Sequence, residues 1–168
     1  NAPAPWGSRV VVENGLLKLA ERVRVEGDIY VKFGGQLTIG AYTGIGPGSE
    51  IRCEERISIG DYGMISYDVH IYDTNTHSTD WQERRRRILA GYPFGATEEA
   101  KPTTEPVWRG NDVWVGRGAA VLKGSVIGSR CVVGMGDIVA GSVVEDDSTV
   151  VPQPPRVLQK EGRRQGTP

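Results

Sequence analysis

The sequence contains few of the residues that build disulfide frameworks and metal sites. Its 168 residues include only two cysteines, Cys53 and Cys131, and two histidines, His70 and His77. The cysteines form neither a disulfide framework nor a CxxC metal motif, so we expect two free thiols and a reducing, cytoplasmic setting. We predict that the protein has no metal site.

The chain also lacks long apolar runs and an excess of charge of either sign. No segment approaches the roughly 18 apolar residues of a membrane-spanning helix, and the opening residues lack the basic-then-apolar order of a signal peptide. The 20 basic and 21 acidic residues give a net charge of -1, which offers no reason to propose a nucleic-acid or membrane partner. We expect one domain without a transmembrane segment.

The sequence does contain a repeat of six residues. Apolar residues recur at every sixth position, and glycine directly follows many of them. Helices need spacings of three and four, and an ordinary strand needs alternation, so neither explains the pattern. Three short β segments with turns, forming a coil of about 18 residues, would point each apolar residue into one stacked core. The series are Leu19, Val25, Val31, Leu37; Ile39, Ile45, Ile51, Ile57; Ile59, Ile65, Ile71; and Val115, Val121, Ile127, Val133, Val139.

The residues between these apolar positions support a narrow interior. The fourth position after each lead residue is usually small or compact. The second and third series each restart two residues after the previous one ends, which suggests one wider corner per coil, and the fourth follows a gap. The small residues are Thr43, Ser49, Gly63, Val69, Ala119, Ser125 and Cys131.

Two long stretches carry a resemblance to a known family. ISIGDYGMISYDVHIYDTNTHSTDW and PVWRGNDVWVGRGAAVLKGSVIGSRCVVGMGDIV are similar to the maltose, galactoside and nodulation-type O-acetyltransferases, which are hexapeptide-repeat acyltransferases. NDVWVG is the more specific match. The resemblance implies an all-β, left-handed parallel β-helix with one long extruded loop. Its handedness comes from the resemblance alone, because strand crossovers in general are right-handed.

The six-residue period divides the chain into segments. It is interrupted between Ile71 and Val107, which is far longer than an ordinary connection and therefore indicates a functional or disordered loop. We predict one acetyltransferase domain over 1–168. It comprises an N-terminal cap at 1–20, coils at 21–73, the extruded loop at 74–106, coils at 107–151 and a C-terminal tail at 152–168.

The extruded loop carries the predicted catalytic residues. From the residues alone, His77 suits a surface turn as well as a catalytic base; the resemblance implies the base. A neutral imidazole can take the proton of a sugar hydroxyl as that hydroxyl attacks a thioester. Asp73 or a backbone carbonyl would fix the tautomer of the ring. We interpret Asn75, Asp80 and Trp81 as substrate-binding, although a turn also explains Asn75. His70 is expected to be structural.

The resemblance also implies acetyl-CoA as the acyl donor. Trp114, Gly116, Met135 and Gly136 match family positions that line the pantetheine arm, and Arg156 matches the basic residue that reaches the nucleotide phosphate. A partly buried repeat residue is the alternative for Trp114. The sequence departs from the family in PQPPR, and in Arg109, which stands where a core isoleucine is usual.

The resemblance implies a homotrimer, and we predict an O-acetyltransferase that acts on a sugar of a surface polysaccharide or lipopolysaccharide precursor. The alternatives are an N-acetyltransferase of a nucleotide-linked amino sugar, a xenobiotic acetyltransferase and a non-catalytic scaffold. A γ-type carbonic anhydrase is excluded, since two histidines cannot supply its three-histidine zinc site. The run Arg84 to Arg87 fits a solvated helical turn or an anion-binding surface.

Overall fold

The structure is a computed structural model and describes residues 7–91 and 101–152. This part of the chain folds into six coils of three short strands each, with one helix inserted in the fourth coil. The elements are β1 (Val10–Val12), β2 (Leu16–Leu19), β3 (Arg24–Val25); β4 (Asp28–Val31), β5 (Gln36–Ile39), β6 (Gly44–Ile45); β7 (Glu50–Cys53), β8 (Arg56–Ile59), β9 (Met64–Ile65); β10 (His70–Tyr72), α1 (Trp81–Ala90), β11 (Val107–Arg109), β12 (Trp114–Val115); β13 (Ala120–Leu122), β14 (Val126–Ile127), β15 (Val132–Val133); β16 (Ile138–Val139), β17 (Val143–Val144) and β18 (Thr149–Val150).

Corresponding strands of successive coils pair in parallel and form three six-stranded sheets. Sheet A holds the first strand of each coil, sheet B the second and sheet C the third. Every strand pair is parallel. The predicted parallel β-helix solenoid with one extruded loop is therefore confirmed.

The six-residue series form the core of the solenoid. In sheet A, Ile51 pairs in register with Ile29 on one side and Ile71 on the other, and all three side chains are fully buried. Each coil alone would leave these side chains half exposed. Stacking therefore supplies the hydrophobic free energy that single coils lack.

The small residues at the fourth position join one coil to the next. The hydroxyl of Thr43 donates to the carbonyl of Gly60 at 2.9 Å, and that of Ser49 donates to the carbonyl of Ser66 at 2.8 Å. Ser125 does the same to Val139 at 3.1 Å. A short hydroxyl side chain at these buried corners fits the narrow interior and satisfies a backbone acceptor.

The solenoid begins earlier than the sequence suggested. Residues 1–20 were expected to form a cap, but β1 and β2 already pair with β4 and β5. Leu17 and Val23 are spaced six apart and both pack against the core, so a signal for this first coil was present. Leu17 and Val23 are only partly buried, because no coil of the described chain lies on their outer side.

The corner between sheets A and B is the one whose length varies from coil to coil. The chain passes from β4 to β5 through residues 32–35 and from β7 to β8 through Glu54 and Glu55. In the fourth coil, the corresponding corner between β10 and β11 carries the extruded loop. The loop therefore enlarges a corner that is already irregular and leaves the register of the sheets intact.

Arg109 is an exception within the core. It pairs with Ile59 and Ile127 in sheet B, points inward and is only 4% exposed. Its Nε, Nη1 and Nη2 atoms are buried and make no hydrogen bond to any residue in the described ranges. Burial lowers the pKa of Arg109 to about 10, so the guanidinium remains charged at neutral pH. The core thus contains an uncompensated charge where the repeat calls for an aliphatic residue.

Within the described ranges, no helix is both long and apolar enough to cross a membrane. The same residues contain no cluster of three or more histidine, cysteine, aspartate or glutamate side chains that could hold a metal ion.

Candidate active site

The extruded loop is closed at its base by a short antiparallel pairing that we call the neck, residues 73–75 and 103–105. Thr74 and Thr104 form a β-bridge. The N–H of Asn75 donates to the carbonyl of Thr103 at 3.0 Å, and that of Glu105 donates to the carbonyl of Asp73 at 2.9 Å. The two ends of the loop are therefore held together where they leave the coil.

Asp73 ties the neck to the preceding coil. Its carboxylate is fully buried and accepts hydrogen bonds from the backbone N–H groups of Glu54 and Glu55, both at 2.8 Å. Burial raises the pKa of Asp73, and these hydrogen bonds oppose the shift. Both oxygens are engaged by the corner between sheets A and B in the third coil, and Asp73 makes no hydrogen bond to the His77 ring in the described part of the chain. The geometry therefore gives Asp73 a structural role and does not support the prediction that it orients His77.

Two glutamates complete this attachment. The hydroxyl of Thr74 donates to Glu54 at 2.8 Å, and the hydroxyl of Thr104 donates to Glu55 at 2.6 Å. Glu54 is buried, with 6% exposure. Each side of the neck is thus bonded to one carboxylate of the third coil. Neither glutamate was predicted, because both stand at positions between the apolar residues Ile51 and Ile57, where the repeat carries no information.

His77 lies just beyond the neck in a sharp turn. Thr76 adopts a left-handed conformation with φ 61°, and the N–H of His77 donates to the carbonyl of Asn75 at 2.7 Å. The side chain of His77 is exposed and forms no hydrogen bond with any residue the structure describes. The backbone of His77 is therefore fixed while its ring is available to a substrate.

The helix α1 that follows is anchored to the His77 turn. Asp80 is its N-cap and accepts from the N–H of Gln82 at 2.9 Å. One guanidinium nitrogen of Arg84 donates to the carbonyls of Ser78 and Thr79, each at 2.8 Å. The structure thus gives Asp80, predicted to bind substrate, a capping role. Helix and turn form one connected unit.

The rest of α1 is exposed, and none of its residues is buried. Trp81, also predicted to bind substrate, is 54% exposed, with the guanidinium of Arg85 4.7 Å from its ring centroid. No ion pair within the described chain involves Arg84 to Arg87. The run therefore presents a positively charged surface next to the His77 turn.

A cleft of about 260 Å³ opens beside the neck. An ion pair between Lys123 and Glu105 lies at this cleft, and Asn75 connects it to the His77 turn. The lining residues are Thr74, Asn75, Glu105, Leu122, Lys123, Ala140 and Gly141. Only Asn75 of this set was predicted from the sequence, since the others lie either in the neck or at positions where the repeat carries no chemical signal.

The residues predicted to bind acetyl-CoA lie on adjacent coils at sheet C and the corner after it. Trp114 is 49% exposed and Met135 is 71% exposed, while the indole N–H of Trp114 donates to the Ser66 hydroxyl at 3.1 Å. Gly116 lies so close to the next coil that a Cβ would be 2.7 Å from the Met135 nitrogen. Gly136 has φ 74°. These residues form a continuous surface with two apolar side chains; Arg156 lies outside the described residues.

His70 lies on the outer face of sheet A and does not line the cleft. Its Nδ1 atom is 3.4 Å from the hydroxyl of Tyr72, which donates to Glu50 at 2.7 Å. Burial and the bond to Glu50 raise the pKa of Tyr72 to about 12. This network on the outer face of sheet A agrees with the structural role expected for His70.

Comparisons with known proteins place the fold among acetyltransferases. Neither a scan against protein-family models nor a search of the curated proteins finds a match. Among solved structures, a hexapeptide-repeat-containing acetyltransferase from Vibrio cholerae is 25% identical, with a TM-score of 0.62 and coverage of 86% of this chain and 71% of that chain. The same Vibrio protein has also been solved with acetyl coenzyme A.

Two further structures are of acetyltransferases that are named for a saccharide. The polySia-specific acetyltransferase NeuO is 22% identical, with a TM-score of 0.67 and coverage of 96% of this chain and 66% of its own. A maltose O-acetyltransferase from Clostridium difficile 630 is 24% identical, with a TM-score of 0.57 and coverage of 90% and 72%. The structural neighbours of the chain are hexapeptide-repeat acetyltransferases, as the sequence motifs predicted, and the chain spans about two thirds of the length of NeuO.

Proposed function

We propose that the protein is an acetyl-CoA-dependent O-acetyltransferase that modifies a sugar hydroxyl and uses His77 as its general base. The observation that carries this proposal is the position of His77. Its backbone is fixed by the bond to Asn75, a lining residue of the cleft, and its ring is exposed. The maltose and polySia specificities of two structural neighbours support a saccharide acceptor.

The reaction would proceed by direct attack on the thioester. The acceptor oxygen bonds to the acetyl carbonyl carbon as the neutral His77 imidazole takes the hydroxyl proton. The resulting tetrahedral intermediate collapses, the carbon–sulfur bond breaks, and the imidazolium returns the proton to the CoA thiolate. Backbone N–H groups are the donors we expect to stabilise the oxyanion. The products are an acetyl ester and free CoA.

Acetyl-CoA would lie along the surface that begins at Trp114 and Gly116 and continues over Met135 and Gly136. The exposed apolar faces of Trp114 and Met135 suit the pantetheine arm. Both described cysteines are free thiols, which fits a cytoplasmic reaction in which acetyl-CoA is available. We extend the proposal to a homotrimer in which two chains build each site, with a surface-polysaccharide or lipopolysaccharide precursor as the acceptor.

The test is thiol release from acetyl-CoA with free and nucleotide-linked sugars as acceptors. His77→Gln should lower kcat by about 10²- to 10⁴-fold, because the hydroxyl loses its base. His70→Gln, the matched control at the other histidine, should keep the wild-type rate. Acceptor-dependent release that survives in His77→Gln would refute the base assignment. Transfer only to an amino group would replace the O-acetyl assignment with N-acetylation.

A further inference from the structure

The cleft beside the neck combines the chemical groups that recognise a sugar ring. Lys123 is a hydrogen-bond donor, Glu105 is an acceptor, and the amide of Asn75 is both. All three residues line a cleft of about 260 Å³. A volume of this size is below the usual range of drug-sized pockets, roughly 300–1,000 Å³. It therefore suits one sugar unit.

The remaining walls of the cleft complement the other side of a sugar. Leu122 and Ala140 provide apolar surface against which the C–H face of a pyranose can pack. Gly141, with φ 55°, has no atom within 4 Å of the position that its Cβ would occupy, which leaves the mouth of the cleft open. Apolar walls with a few convergent polar groups are typical of small-molecule sites.

The Lys123–Glu105 pair is suited to this role by its partial burial. The side chain of Lys123 is 24% exposed and that of Glu105 is 52% exposed. A carboxylate can accept from two neighbouring hydroxyls of a sugar, and an ammonium donates to another oxygen. The pair joins the end of the extruded loop to the fifth coil, so a ligand bound there contacts both parts of the molecule.

We infer that this cleft is the acceptor subsite, and that Glu105 and Lys123 select a sugar unit with vicinal hydroxyl groups. The inference rests on the proposed function for the link to His77, but the binding step can be measured without acetyl-CoA. Asn75 connects the two, because it lines the cleft while its carbonyl accepts from the N–H of His77 at 2.7 Å. In this arrangement the hydroxyl to be acetylated would lie where the cleft meets the His77 turn.

The test is saturation-transfer NMR on the full-length protein without acetyl-CoA, using methyl glycosides of glucose, galactose, mannose and N-acetylglucosamine. We expect at least one glycoside to bind. Glu105→Gln and Lys123→Met should each raise its Kd by about 10- to 100-fold through the lost charged hydrogen bonds. Ala140→Trp should abolish binding, because it fills the cleft from an exposed position.

Control variants separate sugar binding from a general effect of removing an ion pair. Arg130 and Asp147 form an exposed ion pair between adjacent coils at another corner, so Arg130→Met and Asp147→Asn should leave the Kd unchanged. Binding of no glycoside, or equal binding by wild type and Ala140→Trp, would overturn the inference. The two proposals can also be separated. If the wild type binds a glycoside, Ala140→Trp does not, and the wild type releases no thiol from acetyl-CoA, the subsite is supported and the proposed function is refuted.

Discussion

The coils and the extruded loop are stabilised by different means. In the coils, aliphatic side chains such as Ile51 are fully buried between register partners. In the loop, α1 buries no side chain, and the loop is fixed by hydrogen bonds at the neck and by Arg84. Stability and the proposed chemistry are thus assigned to separate parts of the chain, and substitutions in the two parts should have separable effects.

The largest loss of stability is expected in the coils. Ile51→Ala removes a side chain stacked between Ile29 and Ile71 and leaves a cavity in a core that cannot collapse along the stack. We expect the free energy of unfolding to fall by about 2–5 kcal/mol, measured by urea denaturation. Leu89→Ala, at an exposed site, is the control. If Ile51→Ala lowers the free energy of unfolding by less than Leu89→Ala does, the description of the core is contradicted.

Substitution of Arg109 is expected to raise the free energy of unfolding, whereas most core substitutions lower it. Replacing its unpaired guanidinium with isoleucine restores the aliphatic stack between Ile59 and Ile127. Exchanging buried charge for hydrophobic residues of similar volume can stabilise a protein by about 1–4 kcal/mol. We therefore expect Arg109→Ile to raise the free energy of unfolding. Arg56→Gln, which removes one charge from the outer face of sheet B, should have little effect.

At the neck, Asp73→Ala should affect the loop more than the coils. It leaves the N–H groups of Glu54 and Glu55 without their acceptor, at a cost of about 1–3 kcal/mol for a buried unsatisfied group. We expect faster amide hydrogen exchange around residues 73–77, together with reduced acetyl transfer. If Asp73→Ala lowers the protection of amides in the sheets as much as that of amides at the neck, Asp73 does not act as a local attachment.

The raised pKa of Asp73 determines whether its contribution to stability increases or decreases with pH. Burial raises its pKa above the unfolded value of 3.8, so the native state holds the proton more tightly than the unfolded state. This contribution to stability is complete below pH 3.8 and is lost as the pH rises through the pKa of the folded protein. Stability profiles of wild type and Asp73→Asn should therefore diverge across this acidic range, and parallel profiles would contradict the shift.

The smallest effect is expected on α1. Leu89 is 71% exposed and packs on no core residue, so Leu89→Ala should change the free energy of unfolding by less than about 0.5 kcal/mol. A larger loss would indicate that the helix is covered, as in an assembly of several chains. Repeating the measurement at several protein concentrations would identify such an assembly.

The sequence predicts the coils better than the site for a physical reason. The stacked core requires an aliphatic residue at every sixth position, so Ile39 to Ile71 reveal the period directly. Neck contacts depend on pairings between distant segments, such as Thr104 with Glu55, which leave no local pattern. Resemblance identified the turn that carries His77, but it could not show that Asp73 and Asp80 are used by the backbone around them.

The variable length of the corner between sheets A and B has a consequence for how such a protein can diversify. Residues added there leave the parallel register of all three sheets unchanged, because β10 and β11 still pair with their neighbours in the third coil. New loops can thus be inserted at this corner without rebuilding the scaffold. The corner is the position at which we would graft a different acceptor-binding segment onto the same coils.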